Sequence, residues 1–120
     1  LDSSFLYYKN AGFSDRIQTH TPATYIAKRG SVKEVLNKWA EKVGWYVEYS
    51  AGVSHDNPYQ EEYKGSFIES SRALVSVFIK SDRPLDIQFY PNVVIDMEDG
   101  TKRYGLAKVT DYNFQRTRNQ

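Results

Sequence analysis

Residues 31–49 read SVKEVLNKWAEKVGWYVEY and predict a helix followed directly by a strand. Ser31 and Glu34 have the Ser-x-x-Glu spacing in which two side chains satisfy free backbone N–H groups at a helix start. Gly44 supplies the residue type that accepts the left-handed conformation in which helices often end. The helix would bury one apolar stripe, because its hydrophobic residues recur at spacings of three and four: Val32, Val35, Leu36, Trp39 and Val43.

The five residues after Gly44, WYVEY at 45–49, alternate as a half-buried strand does. Trp45, Val47 and Tyr49 are expected to face the core. Tyr46 lies on the opposite side of the strand, so we expect it to be exposed. Trp39 and Trp45 are therefore interpreted as packing residues.

The same signals return further along the chain. After a turn-rich loop at 50–58 (SAGVSHDNP), residues 59–63 favour a short strand that ends at Lys64-Gly65. A second Ser-x-x-Glu start at 66–69 (SFIE) predicts a second helix. The buried stripe of this helix is expected to contain Phe67, Ser71, Leu74 and Phe78, broadened by Ile68, Val75 and Ile79.

The C-terminal third favours β structure. Residues 85–90 and 93–97 are predicted to be two strands joined by a tight turn at Pro91-Asn92. Asp99-Gly100 predicts a further hairpin that leads to a strand at 104–110. At the two ends of the chain, residues 5–8 (FLYY) favour a strand, residues 14–24 a loop, and residues 113–120 (NFQRTRNQ) a frayed tail.

These elements predict an α/β (α+β) fold in which two helices pack on small mixed β-sheets, in the order β-α-β-β-α-β-β. The domain is expected to span 25–112, between an N-terminal extension at 1–24 and a polar tail at 113–120. Both helix stripes and the strands must bury against each other, so one core is expected. Its predicted members are Val32, Val35, Leu36, Trp39, Val43, Val47, Phe67, Leu74, Phe78, Ile87 and Phe89.

The composition limits the classes of function. A chain of 120 residues with 40% hydrophobic content is the size of one domain. Its 16 lysines and arginines are balanced by 15 aspartates and glutamates, so charge predicts no nucleic-acid or other polyanionic partner. The absence of cysteine excludes disulfides and thiolate metal sites and fits either a periplasmic or a cytosolic protein. The chain starts at Leu1 rather than Met, as a chain whose signal peptide has been removed would.

Three short segments between Tyr25 and Met97 carry a resemblance to a known family. They are Lys38 to Ala40 (KWA) with Gly44-Trp45, then Tyr63 to Phe67 (YKGSF), then Phe89 to Val94 (FYPNVV). In their order and spacing they resemble the secretin and TonB N-terminal domain, and within it the toxin co-regulated pilus biosynthesis protein Q family. This chain departs from that family in having no lipid-attachment cysteine.

The resemblance implies a secretin N-terminal domain-like fold and a non-enzymatic accessory role in type IV pilus or conjugative pilus machinery. Such proteins contact the periplasmic part of an outer-membrane secretin. The implied location is the periplasm, with membrane association only through a lipid anchor outside this chain. A periplasmic signalling domain of the same fold is an alternative, since fold does not fix function.

No residue pattern predicts an enzyme or a cofactor. Ser54, His55 and Asp56 are the residue types of a hydrolase triad, but consecutive side chains project apart and cannot form its hydrogen-bond chain. His20 and His55 lack the spacing of transition-metal ligands and are interpreted as surface residues. The acidic group at 96–99 lacks the alternating ligands of a calcium loop, so a solvated hairpin end is the simpler interpretation.

A nucleic-acid-binding module of the RNA-recognition type is the main alternative. Lys64 to Ile68 (KGSFI) faintly matches its signature, in which aromatic side chains on a sheet stack with bases. Phe67, however, belongs to the buried stripe of the second helix.

The 10 tyrosines point instead to protein contacts, because tyrosine combines a large contact area with a polar tip. We expect a partner to bind at an exposed sheet edge with nearby tyrosines, and the candidates are Tyr46, Tyr59, Tyr63 and Tyr104. Most of the 10 are nevertheless expected only to fill half-buried sheet faces.

Overall fold

A computed structural model of the protein describes residues 21–52 and 54–112. These residues form two helices and seven strands, which confirms the predicted α+β class. Two strands of two residues each, β2 (Gly30–Ser31) and β4 (Asp56–Asn57), add to the predicted order and pair with each other. The segments 1–20 and 113–120, with the expected FLYY strand and frayed tail, lie outside the described residues. Ala23 and Thr24, expected in a loop, belong to the first strand. The elements are β1 Ala23–Ala27, β2 Gly30–Ser31, α1 Val32–Lys42, β3 Tyr46–Tyr49, β4 Asp56–Asn57, β5 Glu61–Gly65, α2 Phe67–Ser76, β6 Leu85–Asp96 and β7 Lys102–Asp111.

Both helices begin at the predicted serines. The Ser31 hydroxyl accepts a hydrogen bond from the Glu34 N–H at 3.3 Å. At α2 the full reciprocal box forms, because the Ser66 N–H also donates to the Glu69 carboxylate at 3.0 Å. In the described part of the chain, neither helix is long and apolar enough to cross a membrane.

Helix α1 ends as the sequence predicts. Gly44 has a φ of 72°, in the left-handed region. The Trp45 N–H donates to the Ala40 carbonyl at 2.9 Å and the Gly44 N–H to the Glu41 carbonyl at 3.4 Å, which is the bonding pattern of a Schellman motif. The motif turns the chain directly into β3 and sends the Trp45 side chain into the core.

The end of α2 corrects one predicted core position. The helix ends at Ser76, and the chain continues through tighter turns in which the Phe78 N–H bonds to Val75 and the Ile79 N–H to Ser76. Such three-residue bonds rotate successive side chains by more than an α-helix does. Phe78 therefore stays buried, whereas Ile79, expected on the buried stripe, is exposed.

The strands form three small sheets. β1 pairs antiparallel with β5, and β2 pairs antiparallel with β4. The largest sheet has the order β3-β7-β6, in which β3 and β7 run parallel and β6 and β7 antiparallel. This three-stranded sheet carries the candidate site described below.

The predicted tight turn at Pro91-Asn92 is wrong, because residues 85–96 form one long strand, β6. Tyr90 pairs with Leu106 and Val94 with Tyr104, so the three residues between Tyr90 and Val94 lie opposite Gly105 alone. Such an irregularity accommodates Pro91, which has no N–H to donate to the ladder. The hairpin at Asp99-Gly100 is confirmed, with the Met97 N–H donating to the Thr101 carbonyl at 2.8 Å.

The core is one cluster, as predicted, and residues of both helices and of the β1-β5 and β3-β7-β6 sheets contribute to it. The predicted core residues are buried, except that Ile87 and Phe89 are half-buried against the cluster. Trp45 is fully buried, with its ring 5.5 Å from that of Phe67 and 6.0 Å from that of Phe89. Trp39 is also buried, so both tryptophans pack as expected.

Candidate functional site

The two faces of the β3-β7-β6 sheet differ in their surroundings. Trp45, Val47, Ala107 and Val109 point to the inner face and are buried in the core with residues of both helices. Successive side chains of a strand point to opposite faces, so the residues between them form the outer face. Tyr90 and Val94 of that outer face are 39% and 42% exposed.

The outer face carries a group of adjacent apolar and aromatic side chains. Tyr46 of β3 lies opposite Leu106 of β7, and Leu106 lies opposite Tyr90 of β6. In the next row, Tyr104 lies opposite Val94. Directly opposite residues on one face are close enough for their side chains to contact. We call these five residues, Tyr46, Tyr90, Val94, Tyr104 and Leu106, the outer-face patch.

Ion pairs lie at both ends of the outer-face patch. On one side, Lys108 of β7 pairs with Glu48 of β3 at 3.6 Å. On the other, Lys102 of β7 pairs with Asp96 of β6. An apolar centre bordered by charged groups is a common arrangement at sites where proteins bind other proteins.

An acidic cleft of about 630 Å³ adjoins the outer-face patch at the hairpin end. Tyr46 lines it, together with Ile95, Met97 and four carboxylates, those of Glu48, Asp96, Glu98 and Asp99. Hydrogen bonds from the Thr101 hydroxyl and N–H hold the pKa of Asp99 below its ordinary value. Among the described residues, no three His, Cys, Asp or Glu side chains are grouped so that they could hold a metal ion.

The four tyrosines proposed as contact residues lie in two different places. Tyr46 and Tyr104 belong to the outer-face patch, where Tyr46 is half-buried rather than exposed as expected. Tyr59 and Tyr63 lie at the β1-β5 sheet, where Tyr59 precedes β5 and is 71% exposed. Tyr63 packs edge-on against the Trp39 ring at 5.8 Å, and burial, followed by the nearby Glu61 charge, raises its pKa. Tyr63 thus has a packing role, and its contact role stays a prediction.

Three members of the outer-face patch, Tyr90, Val94 and Leu106, were not among the predicted contact residues. Tyr90 and Val94 are four positions apart and therefore share a face once β6 is a single strand, whereas the predicted turn at Pro91-Asn92 would have separated them. Leu106 alternates with buried Ala107 and lies two residues from Tyr104, so the period of β7 alone could have indicated it.

His55, interpreted from the sequence as a surface residue, is half-buried and helps to hold the scaffold together. The His55 Nε2 lies 2.6 Å from the Arg83 carbonyl oxygen, to which it donates, and its ring contacts Phe78 edge-on at 5.0 Å. Nδ1 of His55 has no hydrogen-bond partner among the described residues. Asp56 lies in β4, opposite Ser31. His20 lies outside the described residues.

Comparisons of the chain with protein-family models, with curated proteins and with solved structures give no match.

Proposed function

We propose that this domain is a non-enzymatic, periplasmic accessory domain that binds the periplasmic part of an outer-membrane secretin in a pilus or conjugation machine. The outer-face patch is the observation that supports protein binding, because Tyr46 and Tyr90 lie on either side of Leu106 in one row across three strands. The resemblance of the segments at 38–45, 63–67 and 89–94 supports the secretin as the partner.

Contact through the outer-face patch would be driven by its aromatic side chains, because Tyr is among the residue types that carry most binding energy at interfaces. The sheet edges offer a second source of affinity. β3 and β6 each have a strand neighbour on one side only among the described residues, and a partner strand can pair with such an edge. The irregularity at Pro91 divides the β6 edge, so side-chain contacts on the patch are expected to dominate.

An RNA-recognition role is less well supported by this surface. Phe67, the aromatic residue of the matching segment, is fully buried between Trp45 and Phe89 and offers no ring face to a base. Tyr46 of the outer-face patch lines the acidic cleft, where Glu98 and Asp99 form no ion pair among the described residues and would repel phosphates. A protein surface is the better match to an apolar patch beside negative charge.

A pair of tyrosine variants tests the proposal. Tyr90→Glu places a charge within the outer-face patch, at a side chain whose hydroxyl donates to Gln88 Oε1 at 2.6 Å. Tyr59→Glu is the matched control, since it makes the same change at a more exposed tyrosine outside the patch. Tyr90→Glu should weaken binding to the periplasmic region of the source organism's pilus or conjugation secretin about tenfold or more. Calorimetry or surface plasmon resonance would measure this.

Both variants are expected to change the free energy of unfolding by less than about 0.5 kcal/mol, because the altered side chains are exposed. Wild-type affinity in Tyr90→Glu would contradict binding through the outer-face patch. Loss of binding in Tyr59→Glu alone would favour the β1-β5 side instead. If the wild-type domain binds single-stranded RNA and not the secretin, the proposed function is wrong.

A further inference from the structure

A groove of about 370 Å³ lies between β1 and α1, and it shares no residue with the outer-face patch. Four cationic side chains line it, whereas Glu34 is its single lining carboxylate. Lys28 and Arg29 come from the connection after β1, and Lys38 and Lys42 from α1. We call this surface the basic groove and define it by Ile26, Lys28, Arg29, Lys38, Trp39 and Lys42.

The four cations of the basic groove outnumber its one lining carboxylate, Glu34, which lies one helical turn before Lys38. Within residues 21–52 and 54–112, none of the four forms an ion pair. Lys38 and Lys42 are four residues apart on one helix, a like-charge spacing that destabilises an isolated helix. Lys42 also lies 5.9 Å from the centre of the Tyr25 ring. The groove therefore keeps a concentrated positive charge in a chain whose net charge is +1.

Hydrogen bonds to the backbone fix the shape of the basic groove. The Trp39 indole N–H donates to the Ile26 carbonyl at 3.0 Å, which ties β1 to α1. The buried Asn57 side chain donates to the carbonyls of Ala27 and Lys28, each at 3.1 Å. The backbone that carries Lys28 is thus held in place before any ligand arrives, which lowers the entropic cost of binding.

The basic groove also offers one exposed apolar contact. Ile26 is 41% exposed although it lies within β1, whereas Tyr25 and Ala27 on either side are buried. Ile26 lines the groove together with the four cations. A ligand that matches this surface combines an apolar group with negative charges.

We propose that the basic groove binds an acidic, extended peptide segment of another protein, with one apolar side chain on Ile26 and carboxylates at the four cations of the groove. An acidic ligand is proposed because its carboxylates complement the four cations of the groove. Trp39 is only 3% exposed and its indole N–H is occupied, so the groove offers no ring for stacking with a nucleic-acid base. A concave groove also fits a peptide chain better than the broad surface of a bilayer. This proposal does not depend on the identity of the partner at the outer-face patch.

The test uses a fluorescein-labelled nonapeptide of aspartate and glutamate with one central leucine. Its two matched controls are the same peptide with glycine in place of leucine and with lysine in place of every acid. Binding to the domain would be followed by fluorescence anisotropy, and the site by the NMR signal of the Trp39 indole N–H. We expect the acidic leucine peptide to bind and to shift that signal, the glycine peptide to bind more weakly, and the lysine peptide not to bind.

Charge reversal then locates the site. Lys38→Glu should weaken binding of the acidic peptide about fivefold, and Lys28→Glu with Lys38→Glu about twentyfold. Lys33→Glu is the matched control, because Lys33 is exposed on the same helix but does not line the groove. It should change the affinity less than about twofold.

Three results would overturn the proposal. Equal weakening by Lys33→Glu and Lys38→Glu would mean that the peptide follows overall charge rather than the groove. An unshifted Trp39 signal at saturation would place the peptide elsewhere. Tighter binding to phosphatidylglycerol vesicles or to an oligothymidylate, lost in Lys28→Glu with Lys38→Glu, would assign the groove to a lipid surface or to a nucleic acid.

Discussion

Replacing Gly105 with alanine should destabilise the domain through two separable effects. Gly105 has a φ of 128°, a conformation that side-chain-bearing residues rarely adopt and that costs about 1–3 kcal/mol. A Cβ at this position would also lie 2.4, 2.5 and 2.9 Å from three atoms of the Trp45 ring. Trp45 cannot move aside easily, because it is fully buried between Phe67 and Phe89. Such overpacking costs about 1–3 kcal/mol more, so we expect a loss of about 4 kcal/mol.

Gly30→Ala is the matched control for Gly105→Ala. Gly30 has a similar φ of 123°, but a Cβ there would have no atom within 4 Å, so only the backbone cost of about 1–3 kcal/mol applies. Urea unfolding followed by tryptophan fluorescence would measure the stability of both variants. With m-values of about 1–3 kcal/mol/M, the midpoint of Gly105→Ala should lie roughly 1 M below that of Gly30→Ala. If the two variants unfold at the same midpoint, the contact between Gly105 and Trp45 does not restrict this site.

Two further predictions concern local bonds. Hydrogen bonds from the backbone N–H of Ser66, and then from its hydroxyl, hold the pKa of the Glu69 carboxyl below its ordinary value. These bonds stabilise the fold fully above the ordinary carboxyl pKa, and this stabilisation is lost as the pH falls through the lowered pKa of Glu69. Urea midpoints should therefore decline below about pH 4.5 less steeply in Glu69→Gln than in the unmodified chain. Trp39→Phe removes the indole donor to the Ile26 carbonyl and should cost about 1–2 kcal/mol in urea unfolding. A cost near zero would show that water or another donor replaces the indole.

The helices could be predicted from the sequence because their limits are encoded locally. Ser31 and Ser66 cap the two starts, and Gly44 ends α1, each through bonds to residues within a few positions. The exposed Ile79 shows where this argument fails. The helical period places Ile79 on the buried stripe of α2, but after Ser76 the chain continues in tighter turns that do not keep this period.

The strand β6 could not be predicted from local signals. Pro91-Asn92 is typical of a turn, yet β6 continues through it as one strand. The reason is that β7 pairs with both halves of β6, with Gly105 opposite the irregularity. The outer-face patch depends on the same long-range pairing. Alternation within β3 indicated Tyr46, but only the parallel register with β7 brings Leu106, sixty positions later in the chain, beside it.

The balance of charge in the composition conceals a separation of charge on the surface. A net charge of +1 argues against a polyanionic partner only if the charges are evenly spread. The fold instead gathers four cations in the basic groove, whereas the acidic cleft beside the outer-face patch has four carboxylates, of which Glu48 and Asp96 are paired with lysines. Each surface therefore attracts ligands of the opposite charge, although the whole molecule is nearly neutral. This attraction extends over about a Debye length, roughly 8–10 Å at physiological salt. The basic groove and the outer-face patch share no residue, so their ligands can be tested separately. Because salt screens charges, raising its concentration should weaken peptide binding at the basic groove and leave apolar contacts at the outer-face patch largely unchanged.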